Sequence, residues 1–196
     1  MTGLVGCFGL QCQICAGFRR ASQLLHFDLF RDGVGAKWEQ LLTTAPGSWN
    51  QAKHCPIEVG ATYFLGMTHA ARGEFSAAAT LLERNVALEG DLRYERFGTT
   101  AMRSAVSGAH SHLADVLSQL GLFDEAIEHA EAAVRIAEAT DHPFTLYRGL
   151  IDLGRTHLRR GDLPRATRVL ERGVDLCRTW QIVLGTPLVA AALGAA

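Results

Sequence analysis

The chain has 196 residues, 48% of them hydrophobic, which is enough for one ordinary domain or a short array and excludes disorder throughout. Lys plus Arg number 19 against 20 Asp plus Glu, a net charge of -1, so no global field draws in nucleic acid or an anionic membrane. The longest apolar stretch, Ile182 to Ala196, is broken by Gly185-Thr186-Pro187 and is too short to span a bilayer.

The opening residues carry few signals. Leu4-Val5-Gly6-Cys7 has the form of a lipoprotein cleavage box, but no basic residues and almost no apolar run precede it. A working signal peptide is therefore not expected, and the expected location is cytoplasmic, with free thiols. Ala16 to Arg31 reads as one helix with Phe18, Ala21, Leu25 and Leu29 on its apolar face, broken by Gly33 and Gly35. Ala36 to Thr43 reads as a short helix, and Ala45-Pro46-Gly47-Ser48 as a turn. Residues 1–55 are expected to form an atypical, partly helical segment, either poorly ordered or a degenerate repeat.

From Pro56 onward the helical signal is strong. Ile57 to Arg72 and Phe75 to Glu89 form a first hairpin, Thr100 to Leu120 and Phe123 to Thr140 a second, Phe144 to Arg160 and Leu163 to Thr179 a third. Asp141-His142-Pro143 closes the second hairpin, with the proline forcing the break. Pro187 to Ala196 reads as the opening helix of a fourth, which the chain leaves mid-repeat with an apolar end.

The hairpins repeat one another. Gly73-Glu74-Phe75-Ser76-Ala77-Ala78, Gly121-Leu122-Phe123-Asp124-Glu125-Ala126 and Gly161-Asp162-Leu163-Pro164-Arg165-Ala166 are each Gly-x-apolar-x-x-Ala. Eight residues before each Gly stands Leu65, Leu113 or Leu153, followed by Gly66, Ala114 or Gly154. Such a period means stacked helical hairpins, with the glycine as a left-handed cap on each leading helix.

These residues resemble the tetratricopeptide repeat, which places a small residue in the leading helix where the trailing helix crosses, and an Ala early in the trailing helix. Gly66, Ala114 and Gly154 match the first position, and Ala78, Ala126 and Ala166 the second. The family's late aromatic is replaced by His69, Leu117 and His157, and the glycines lie 48 and 40 apart instead of about 34. The resemblance implies an all-α, right-handed solenoid of about three antiparallel hairpins plus the first helix of a fourth, over residues 56–196.

Glu95-Arg96-Phe97-Gly98, Asp141-His142-Pro143, Leu170-Glu171-Arg172-Gly173 and Leu176-Cys177-Arg178 are similar to helical arrays that end large bacterial signalling proteins with nucleotide cyclase and ATPase domains. That likeness implies a regulatory module and no catalysis, since no phosphate loop or cyclase segment is present.

Little else suggests chemistry. Cys7-x4-Cys12-x2-Cys15, with Cys55, has the opening spacing of an iron–sulfur loop, and Cys12-x-x-Cys15 would suit zinc or redox work. No second Cys-x-x-Cys follows and the loop lacks polar residues, so incidental thiols are preferred and no cofactor or metal is expected. His110 and His112 point about 200° apart on a helix and cannot easily share a metal. His69 and His157, at one repeated position, suit a structural role. No Gly-x-Ser-x-Gly occurs, no enzyme is expected, and Cys177 reads as a buried thiol.

The polar faces of two leading helices are more informative. Arg148, Asp152, Arg155 and Arg159 are spaced four, three and four, on one face of a helix. Gly108, Ser111, His112, Asp115 and Gln119 occupy the matching face of the preceding leading helix. In tetratricopeptide arrays that face lines the concave groove, and three arginines there would grip carboxylates or phosphates of a protein or peptide partner. The bland alternative is a solvated face on which Asp152 pairs with Arg148 and Arg155. Arg93-Tyr94-Glu95-Arg96 is a second candidate patch. The competing functions are a metal- or thiol-dependent module on the N-terminal cysteines, and a structural spacer that self-associates through its open C-terminal end.

Overall fold

A computed structural model of the chain describes residues 56–87, 100–183 and 185–196. Within them lie seven helices: α1 (Pro56–Ala71), α2 (Phe75–Val86), α3 (Thr100–Gln119), α4 (Phe123–Ala139), α5 (Pro143–Arg160), α6 (Leu163–Thr179) and α7 (Gly185–Leu193). No strand occurs among the described residues. The N-terminal helices, the Cys7, Cys12, Cys15 and Cys55 cluster and the Arg93 to Arg96 patch all lie outside them.

The three repeated glycines build the hairpins. Gly73, Gly121 and Gly161 have φ of 78°, 80° and 85°, the left-handed region where a side chain is strained. Each donates its N–H three residues back, and the following residue donates five back, to the carbonyls of His69, Leu117 and His157. This double bond pattern satisfies the last carbonyls of the leading helix and reverses the chain into the trailing one. The position that holds the family's late aromatic thus serves here as a backbone acceptor.

Two turns between hairpins place a residue other than glycine in the left-handed region, and the second repeats the double bond pattern. Asp141 and Gln181, 40 residues apart in the repeat register, have φ of 49° and 52°. Ile182 donates to the Cys177 carbonyl and Gln181 to that of Arg178, as in the glycine turns. The break therefore falls at Thr140-Asp141, before the proline. Pro143 opens α5 at its first turn, where a missing N–H does no harm, and the His142 ring accepts from the Thr145 N–H as its cap. Asp162 caps α6 in the same manner, ahead of Pro164. α7 likewise starts at Gly185, two residues before its proline. α2 ends at Val86, three residues sooner than the pattern suggested, just after Asn85 turns its amide inward to the Val59 carbonyl at 2.9 Å.

The core is a chain of three apolar clusters instead of one centre. The first joins α1 and α2 to α3 through Leu82, Leu113 and Val116. The middle one joins α3 and α4 to α5 through Ala114, Ala130, Leu150 and Leu153. The last joins α5 and α6 to α7 through Tyr147, Leu170, Cys177 and Val189. Each cluster spans a hairpin and the leading helix of the next, the nearest-neighbour logic of a solenoid. Leu65, Leu113 and Leu153 are buried, and Ala78, Ala126 and Ala166 have no exposed surface.

The small positions do what close crossing requires, though the closest neighbour is a side chain. A β-carbon on Gly66 would stand 2.9 Å from Leu82 Cγ, and one on Gly154 would stand 2.5 Å from Leu170 Cγ. In the second hairpin the same register holds Ala114 and Ala130, both fully buried. Glycine faces leucine twice and alanine faces alanine once, so at each crossing a small residue on the leading helix meets the side chain the trailing helix presents.

Successive leading helices, α1 with α3 and α3 with α5, pack along one another, while trailing helices meet mainly the leading ones. One link between trailing helices is the ion pair of Arg172 with Glu138. The leading helices thus form one contiguous layer and the trailing helices the other.

Candidate partner-binding face

Apart from Gly108, which has no side chain, seven of the eight residues singled out on the leading helices lie in one connected network across α3 and α5. At its base is Asp152, 1% exposed on α5. Ser111 on α3 donates its hydroxyl to Asp152 Oδ2 at 2.5 Å and Arg148 Nη2 donates to the same oxygen at 3.2 Å. Arg155 Nη1 stands 3.9 Å from Asp152 Oδ1. A buried carboxylate is costly unless paired and hydrogen-bonded, and these partners meet that need.

A second node is Asp115 on α3. Arg159 Nη1 donates to its Oδ1 at 2.7 Å and also to Ser118 Oγ at 2.7 Å, while Arg155 Nη2 lies 3.8 Å away. Ser118 in turn donates to the Asp115 carbonyl. Arg148 Nη2 reaches His112 Nε2 at 3.4 Å. Gln119, the eighth residue, is exposed at the end of α3.

Three guanidinium groups face two carboxylates, so the network carries one surplus positive charge. His112 adds none. Burial, with help from Arg148, pushes its imidazole down to about 4, so it is neutral near pH 7. The Asp152 carboxylate holds Arg148 above the ordinary guanidinium range. Arg155 is the most exposed of the three, at 42% of its side chain.

The network shows both a stitch and a surface. Ser111 and Asp152 are buried and act by holding α3 to α5. Arg148 and Arg159 are part-buried, at 31% and 25% of their side chains, and Arg155 and Gln119 are the most open groups on this face. The pairing of Asp152 with Arg148 and Arg155, weighed above as the bland reading, is present, and it absorbs part of the positive charge.

Sequence reasoning missed Tyr63. Its ring lies tilted against that of His112, with centroids 5.5 Å apart and planes at 47°, and extends the face onto α1. Its hydroxyl lies 3.0 Å from where a β-carbon of Gly108 would be, so the glycine admits the ring. Burial lifts the phenol to about 12, with Arg148 opposing and Asp152 assisting. The signal was available, because Tyr63 stands 48 residues before Ser111, the first repeat step. Ser118 was missed as well, and nothing in its local sequence marks it.

His110 and His112 do diverge, as their spacing predicted. His112 faces the α1 and α5 side, while His110 faces His129 on α4. His157 is buried, and its ring Nδ1 has no hydrogen-bond partner among the described residues. Burial also lowers its basicity. Cys177 is a buried free thiol whose pKa burial raises, an inert setting. Among the described residues no group of three or more His, Cys, Asp or Glu is placed to hold a metal, and no helix is long and apolar enough to cross a membrane.

Residues 59–84 and residues 106–179 match two family models, both of the tetratricopeptide repeat. The helical array is a tetratricopeptide-like solenoid. Its fold is similar to that of the solved nearly identical TPR-like repeats of a Podosopora anserina protein titled a putative kinesin light chain. That likeness has a TM-score of 0.58 at 19% identity, covering 93% of this chain and 86% of that one. A single-substitution variant of the same protein gives a TM-score of 0.60 at 20% identity, with the same coverage. At these identities the likeness is one of fold. A comparison with curated proteins finds no match. Tetratricopeptide arrays generally mediate protein–protein interaction, and the repeat fold is typically a non-enzymatic scaffold.

Proposed function

We propose that the polar face of α3 and α5 binds a protein or peptide segment bearing acidic groups. The observation that carries this reading is the surplus guanidinium on that face, with Arg155 half-exposed beside two carboxylates that are already engaged. Arg155 and Arg159 would meet the partner's carboxylates, Gln119 would supply an amide, and Ser111, His112, Asp115, Arg148 and Asp152 would hold the arginines in place. The module does no catalysis in this account. Its context is regulatory, within a cytoplasmic bacterial signalling polypeptide. The support for that context is the sequence likeness of segments such as Leu170-Glu171-Arg172-Gly173 to the arrays of cyclase- and ATPase-bearing proteins.

The test is a peptide-display selection against the full chain. Selected peptides are expected to be rich in Asp and Glu, to bind more weakly as salt rises, and to be lost on Arg155→Glu. Peptides without acidic residues, or binding indifferent to Arg155→Glu, would overturn the reading.

Self-association through α7 is a second reading. Leu188 on α7 and Val183 just before it are exposed, and Leu193, at the register of buried Leu153, is only half-buried. Sedimentation of the wild type against Leu188→Glu decides it: a concentration-dependent dimer abolished by the substitution supports it, and a monomer in both contradicts it.

A further inference from the structure

In the second hairpin the crossing of α3 and α4 holds two histidines where the third hairpin holds apolar side chains. His110 is 3% exposed and its Nδ1 lies 3.0 Å from Nδ1 of His129, with ring centroids 5.1 Å apart and planes at 46°. The repeat register places Leu150 and Val169 at these two positions in the third hairpin, within one apolar cluster. In the first hairpin the same positions are Thr62 and Leu81. Packing therefore does not demand imidazoles here. An apolar pair fills the site in a sister repeat, and burying two polar rings costs more than burying that pair.

What two imidazoles offer that leucine and valine cannot is a pair of converging nitrogen lone pairs. In the metal-free state one Nδ1–H must donate to the other ring's lone pair, because two protonated rings at 3.0 Å would repel. A divalent transition-metal ion can replace that proton. Two nitrogens each about 2.0–2.1 Å from a tetrahedral zinc ion stand roughly 3.3 Å apart. The rings need to open by only a few tenths of an ångström. His129 is half-buried, so its side of the pair reaches towards solvent.

We propose that His110 and His129 form a two-imidazole site for a divalent transition metal of the zinc class. The ion clips α3 to α4 across the hairpin, and water completes its coordination sphere. Two coordinate bonds form from the Nδ1 lone pairs, and the proton that one Nδ1 carried moves through solvent to Nε2 of the same ring, so both rings stay neutral. Since the ligands come from two helices that pack only in the folded array, binding stabilises the folded form. Borderline imidazole donors suit zinc, copper and nickel and exclude magnesium and calcium.

The experiment titrates Zn²⁺ into the folded full chain after its accessible cysteines have been alkylated, so that exposed thiols do not compete. Calorimetry and thermal unfolding are the readouts. The comparison is the double variant H110L/H129V, which installs the residues of the third hairpin and is expected to fold. The wild type should take up one Zn²⁺ per chain, unfold at higher temperature with zinc, and lose the effect below about pH 6 as the rings protonate. The variant should bind more than ~10-fold more weakly and show no thermal shift. Mg²⁺ should shift neither protein. Equal zinc affinity in the two proteins, or no zinc-dependent shift in the wild type, would overturn the proposal.

Discussion

Gly154 on α5 lies so close to Leu170 on α6 that a β-carbon added there would stand 2.5 Å from Leu170 Cγ and Cδ2. Leu170 has no exposed surface and cannot step aside. Gly154→Ala is therefore expected to destabilise the array by roughly 1–3 kcal/mol, as overpacking does. Leu170→Ala alone should cost roughly 2–5 kcal/mol by leaving a cavity. The double variant reproduces the alanine pair of the second hairpin, Ala114 with Ala130, and should be more stable than the sum of the single losses predicts. Urea unfolding of the four proteins checks this. Strict additivity would mean that the two positions do not share one volume.

The buried node at Asp152 gives a second prediction. Arg148→Ala removes its main cationic partner and leaves the carboxylate 1% exposed, so a loss of roughly 3 kcal/mol is expected. Arg155→Ala, on a half-exposed side chain 3.9 Å from the same carboxylate, should cost no more than about 1 kcal/mol. The two arginines share a helix face but not a role. Partner tests therefore belong on Arg155, because Arg148 substitutions mix binding with folding. Denaturant melts of the two variants measure the difference.

The pH dependence has a definite sign. His112 has a folded pKa of about 4 against an ordinary 6.5, so the unfolded chain binds protons more readily. Its contribution to stability is intact above about pH 6.5 and is lost as the pH falls from there towards 4. The loss is bounded at roughly 3 kcal/mol and is smaller once solvent screening of this half-buried ring is counted. Buried His157 acts in the same direction. Unfolding free energies of wild type and His112→Gln at pH 7.5 and pH 4.5 check this. The wild type should lose more than the variant on acidification, and equal losses would contradict the assignment.

Gln181 offers a prediction of opposite sign. It caps α6 at φ 52°, a conformation that costs a side chain roughly 1 kcal/mol or more. Gln181→Gly is expected to raise stability by about 0.5–1 kcal/mol, visible as a higher midpoint in thermal unfolding.

Much of the architecture could be read before any coordinates. Gly73, Gly121 and Gly161 announced the hairpins, because left-handed caps select glycine strongly. Gly66, Ala114 and Gly154 announced the crossings, because only small residues allow them. The turns at Asp141 and Gln181 were not legible, since neither residue advertises a positive φ and Pro143 drew the boundary to itself. The polar face was half legible. Helical spacing put Arg148, Asp152, Arg155 and Arg159 together, but spacing along one helix says nothing about depth. That Asp152 is buried and bonded by Ser111 from α3 depends on how two hairpins stack. Tyr63 was hidden for the same reason, being joined to His112 only by the stacking of α1 on α3.

The most direct test of the binding account is the amide and side-chain NMR response of the full chain to an acidic peptide taken from the display selection. The account predicts shifts centred on His112, Asp115, Gln119, Arg155 and Arg159, abolished by Arg155→Glu and retained in Arg172→Glu on the trailing layer. Shifts centred on α4 and α6, or equal binding by Arg155→Glu, would contradict it.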